Sequence, residues 1–124
     1  MPKILIVEDS PDNMKLFRTL LTLKGHEVAG LAGGDGLLEA IERGSPDLIL
    51  MDIQLPILDG YEATRRIKAD PACRSIPIIA VTSYALSGDE AKARQAGCDD
   101  YVTKPYSPRE LLAKVREYLP QAVK

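Results

Sequence analysis

The chain predicts an α/β fold in which a five-stranded parallel sheet is doubly wound, with helices on both faces. Short apolar runs rich in Ile, Val and Leu, such as Ile4 to Val7 and Leu48 to Met51, alternate with longer segments of helical periodicity. That alternation is the mark of repeated βαβ units, and continuous apolar runs suit strands covered on both sides. The length of 124 residues suits one compact domain spanning residues 1–124.

Each element follows in order. Strand one is Lys3 to Val7. Helix one runs from about Asp12 to Lys24, with Met14, Phe17, Leu20 and Leu21 at helical spacing and Gly25 as its stop. Strand two is Glu27 to Leu31, and helix two runs from Gly36 to Arg43 before Gly44. Ser45-Pro46 turns the chain into strand three, Asp47 to Met51. Asp59 caps helix three, which reaches Ala69 ahead of the Asp70-Pro71 break. Strand four is Pro77 to Val81, its proline tolerable at a first position. Ser87 caps helix four, which Gly97 stops. Strand five is Asp100 to Val102, and Ser107-Pro108 opens helix five, which ends near Leu119. Only five residues follow, too few for an output domain.

Sixteen Lys and Arg against eighteen Asp and Glu leave a net charge of −2, so no chain-wide basic field draws nucleic acid or an anionic membrane. No apolar run approaches the roughly 20 residues of a membrane span, and Glu8 and Asp9 interrupt any signal-peptide core. The expected location is cytoplasmic. Cys73 and Cys98 stand 25 residues apart, with His26 the lone histidine. That supports neither a zinc site nor a redox pair, so both read as buried or incidental thiols.

In an open parallel sheet, ligands bind at the carboxyl ends of the strands, where the strand order reverses. Glu8 and Asp9 end strand one, Asp52 ends strand three, Thr82 ends strand four, and Lys104 follows strand five. With the flavodoxin-like order 2-1-3-4-5, strands one and three are neighbours and three carboxylates converge on one edge of the crevice. Such like charges need a cation, and all-oxygen ligation selects a hard ion such as Mg²⁺. Lys104 offers a point charge for phosphate and Thr82 a hydroxyl donor. An Asp nucleophile in that company is the equipment of an aspartyl-phosphate site. Taken singly, acids after strands also serve as helix caps, and a Lys before Pro is also an ordinary loop residue. The shared strand-end placement carries the reading.

The segments ILIVEDS at 4–10, DLILMDIQLPILDG at 47–60, PIIAVTSYA at 77–85 and AGCDDYVTKP at 96–105 resemble the receiver domain of bacterial two-component response regulators over essentially the whole chain. The resemblance implies the 2-1-3-4-5 order and Asp52 as phosphoacceptor. It implies Mg²⁺ held by Glu8, Asp9, Asp52 and the backbone carbonyl of Gln54, with Thr82 and Lys104 on the phosphoryl group. It also implies a cis Lys104-Pro105 bond, a Thr82–Tyr101 switch pair, and tuning of dephosphorylation by Gln54 and Tyr84. Segment SGDEAKARQAGCDDYVTKP is similar to single-domain receivers that control bacterial cell division. Ser83, where the family usually has Ala or Gly, and the glycine-rich Gly33-Gly34-Asp35-Gly36 entry to helix two depart from the common pattern.

The implied role is that of a signalling protein, not an enzyme. A sensor histidine kinase or a histidine phosphotransfer protein supplies the phosphoryl group, and a downstream protein reads the helix four, strand five and helix five surface in trans. Two other classes compete. A Mg²⁺-dependent phosphatase with an Asp nucleophile resembles a DxDx pattern, which Gln54 breaks. A flavodoxin-type electron carrier needs a phosphate-cradling loop after strand one, where Glu8 and Asp9 would repel phosphate.

Overall fold

The computed structural model describes residues 3–8, 10–31, 36–52, 60–71, 73–82, 89–103 and 108–119. Five strands and five helices alternate: β1 (Lys3–Val7), α1 (Pro11–Leu23), β2 (Glu27–Leu31), α2 (Leu37–Gly44), β3 (Leu48–Asp52), α3 (Gly60–Ala69), β4 (Ile78–Thr82), α4 (Asp89–Ala96), β5 (Asp100–Thr103) and α5 (Pro108–Tyr118). The sheet is all parallel with order β2-β1-β3-β4-β5, as expected. The order reverses between β1 and β3.

Side chains alternate across the pleat, so the sheet has a core on each face. Leu5, Val7, Ile49, Met51, Ile78 and Ala80 face a cluster closed by Leu37 and Ile41 of α2 and Ala63 and Ile67 of α3. Ile4, Ile6, Leu48, Leu50, Ile79 and Val81 face Phe17 and Leu21 of α1 and Leu111 and Val115 of α5. Cys73 and Cys98 are buried and unpaired, and both belong to the first cluster. Burial pushes both thiols up from their ordinary value, as it must where a thiolate would lack water. Among its described side chains, α4 buries only Ala96.

Several boundaries differ from the sequence expectation for local reasons. Helix α1 begins at Pro11 because Ser10 caps it, its side chain accepting from the Asn13 N–H at 3.3 Å. Proline then sits at a first helical position, where its missing donor costs nothing. At the other end Gly25, at φ 90, donates to the Thr22 carbonyl while His26 donates to that of Leu21, a Schellman closure. Helix α2 keeps Gly44, and Ser45 takes the left-handed position instead, at φ 46. Strand β3 starts at Leu48 because Asp47 does other work: its carboxylate accepts the Lys3 N–H at 2.8 Å and its own N–H donates to the Lys3 carbonyl at 2.7 Å. Strand β4 starts after Pro77, and the Ile78 N–H goes to the Asp99 carboxylate at 2.8 Å. The expected caps Asp59, Ser87 and Ser107 lie outside the described residues.

Candidate phosphoacceptor site at the carboxyl edge of the sheet

Two acidic residues come level where the strand order reverses. Asp52 is the last residue of β3 and pairs in register with Val81 of β4. On the other side, Val7 pairs with Met51, so Glu8 comes level with Asp52, about 4.8 Å away across the ladder. The Glu8 N–H still reaches the Leu31 carbonyl at 3.0 Å, carrying the strand geometry one residue beyond β1. Its carboxylate turns toward the start of α1, where Oε2 accepts the Ser10 N–H at 3.1 Å. Glu8 is 2 % exposed and Asp52 5 %. Two acids held this far from water form an oxygen donor set suited to a hard cation.

Thr82 is the last residue of β4 and pairs with Thr103 of β5, so Lys104 comes next in the chain after that pair. Asp9, Gln54, Lys104 and the Lys104-Pro105 bond lie outside the described residues, as do Ser83, Tyr84 and Gly33 to Asp35. Among the described residues, which do not include the expected ligand Asp9, there is no group of three metal-ligating side chains. Tyr101 is half-buried on β5 and packs against the cluster on the α2 and α3 face.

The residue reading missed the anchor beside Tyr101. Asp100 is 7 % exposed. Its Oδ1 accepts the Tyr101 N–H at 2.8 Å and Lys114 Nζ at 3.0 Å, and its Oδ2 accepts the Tyr118 hydroxyl at 3.2 Å. Burial alone would raise the Asp100 carboxyl, but the Lys114 ammonium, the Tyr101 N–H and the Tyr118 hydroxyl outweigh it and hold it below the usual range. Burial and the Asp100 charge push Tyr118 up to about 12. Lys114 and Tyr118 are four residues apart on one face of α5, a spacing visible in the sequence. Which acid they would hold was not. Asp99 makes a parallel anchor, accepting Lys68 Nζ at 3.0 Å as well as the Ile78 N–H.

A doubly wound sheet with buried acids on adjacent strand ends at its switch point defines the receiver class of signalling domain. The chain belongs to that family: the response regulator receiver domain model matches residues 4–116. It is 46 % identical to the polar-differentiation response regulator DivK of Brucella anthropi over 98 % of this chain and all of that protein, and 44 % identical to that of Brucella ovis over 96 % of this chain and 97 % of that protein. Among solved structures, the receiver domain of a sensor histidine kinase from Pseudomonas aeruginosa PAO1 matches with TM-score 0.87 and 41 % identity, covering 96 % of this chain and 98 % of that one. That structure has a magnesium ion coordinated in its active site cleft. A CheY-like receiver domain protein from Methanospirillum hungatei JF-1 matches with TM-score 0.88 and 32 % identity, over 98 % and 96 %. The protein therefore has the phosphoacceptor signalling role of two-component systems and is not a classical enzyme. No described helix is long and apolar enough to cross a membrane.

Proposed function

We propose that Asp52 is the phosphoacceptor of a DivK-like cytoplasmic receiver that takes its phosphoryl group from a sensor histidine kinase or a histidine phosphotransfer protein. The observation that carries this is the burial of Asp52 beside Glu8 at the switch point of the sheet. Glu8, Asp9, Asp52 and the Gln54 carbonyl would hold Mg²⁺, which when bound offsets charge on these acids and on the phosphoryl oxygens. The magnesium in the Pseudomonas neighbour supports the choice of ion.

An Asp52 carboxylate oxygen attacks phosphorus in line, and the phosphorus–nitrogen bond of the phosphohistidine breaks, its electron pair staying on the imidazole. Lys104 steadies the charge of the transferring group. Thr82 then moves toward the new phosphoryl group and Tyr101 turns into the space it leaves, reshaping the surface of α4, β5 and α5 that a downstream protein reads in trans. Two features support β5 as the moving part: Tyr101 is only half-buried, and α4 is lightly anchored among its described side chains. Likeness to the DivK proteins supports a role in cell polarity or division control.

Acetyl phosphate with Mg²⁺ is expected to add one phosphoryl group by intact mass, and none in EDTA or in Asp52→Asn, whose amide is not a competent nucleophile. Equal labelling of wild type and Asp52→Asn would remove Asp52 from the mechanism.

A further inference from the structure

On the outer surface, where α1 meets α5, Lys24, Arg109, Leu112, Ala113 and Arg116 line a groove of about 320 Å³. One wall is a single stripe of α5. Arg109 and Arg116 are seven residues apart, with Leu112 and Ala113 three and four residues after Arg109, so the helical period stacks cation, apolar pair, cation on one face. Leu112 is half-buried and packs on the core beneath. The other wall ends in Lys24, next to Leu23, which is 73 % exposed. Leu16, seven residues before Leu23, is 46 % exposed, and these two are the exposed large apolar side chains among the described residues.

Among the described residues no ion pair engages Lys24, Arg109 or Arg116, whereas Lys3, Arg65, Arg66, Lys68 and Lys114 each hold a carboxylate. Three such cations around an apolar floor reverse the sign of a chain whose net charge is −2. Lys24 also lies just before Glu27, the partner of Lys3 at the edge where the strands begin, opposite the edge that carries Asp52.

We propose that this groove docks an amphipathic helix with acidic residues flanking a leucine-type stripe, supplied by a partner protein. Its apolar stripe lies on Leu23, Leu112 and Ala113, and its carboxylates reach Lys24, Arg109 and Arg116, the helix-in-groove mode with an electrostatic rim. The groove takes the side of α5 that meets α1 and does not include Asp52, so a partner held there stays bound in either phosphorylation state.

The test titrates the ¹⁵N-labelled full chain with a synthetic helical peptide of leucines at heptad spacing and glutamates between them. Saturable amide shifts are expected within 20–24 and 109–116, and the doubly reversed variant Lys24→Glu, Arg116→Glu should bind about ten-fold more weakly. Labelling by acetyl phosphate, unchanged in that variant, shows that it folds and keeps the phosphoacceptor site independent. A control peptide with serine for leucine should also bind about ten-fold more weakly. The proposal is overturned by shifts elsewhere, by equal binding of the serine peptide or by indifference to the charge reversals. It is equally overturned if the peptide fails while phosphatidylglycerol vesicles retain the protein, or if sedimentation shows the groove already closed by a second copy of the chain.

Discussion

At His26 a single side chain sets a pH dependence. The imidazole is 5 % exposed, its Nδ1 has no hydrogen-bond partner among the described residues, and burial lowers its pKa from 6.5. The unfolded chain therefore takes up the proton first. Stability from neutral His26 is complete above about pH 6.5 and is lost as pH falls from there toward the lower folded-state value. Urea unfolding between pH 7.5 and pH 5.5 should show this loss in wild type, and His26→Leu should flatten it. An equal slope in that variant would assign the loss to other groups. That Glu8 and Asp52 come level was legible, because both stand at the ends of strands that the fold makes neighbours. The burial of His26 was not, since nothing in the local sequence says that this one residue of the α1–β2 turn is covered.

At the scale of elements, the sequence placed all ten in order, and the errors fell at their ends, where one hydrogen bond decides. The Ser-Pro signal read at α5 was overlooked at Ser10-Pro11. Asp47 and Pro77 were placed in strands because their contacts to Lys3 and Ile49 lie across the sheet. The anchor between β5 and α5 was hidden for the same reason, since Asp100 meets Lys114 and Tyr118 only after folding. Asp100→Asn removes a charged acceptor from that anchor and should cost about 1–3 kcal/mol. It should also let the Tyr118 pKa fall from about 12 toward the ordinary value near 10. Ultraviolet titration of tyrosinate formation reads this directly, and an unchanged late-titrating tyrosine would mean that Asp100 does not hold Tyr118.

For the whole molecule, the fold brings together acids that the unfolded chain keeps apart, so the metal-free native state carries repulsion that its function requires. Removing one charge should relieve it. Asp9→Asn is expected to be more stable than wild type in EDTA by about 1–2 kcal/mol. Millimolar Mg²⁺ should raise the wild-type Tm through binding to the native state and do much less for the variant. A less stable variant with a full Mg²⁺ response would make Asp9 a structural cap. The most direct measurement locates the phosphoryl group itself. After acetyl phosphate and Mg²⁺, borohydride reduces an aspartyl phosphate to homoserine, and peptide mass mapping finds the converted residue. Homoserine at position 52 alone is the expected result. Conversion at Glu8 or Asp9, or none in a chain that carries the phosphoryl mass, would contradict Asp52 as the phosphoacceptor.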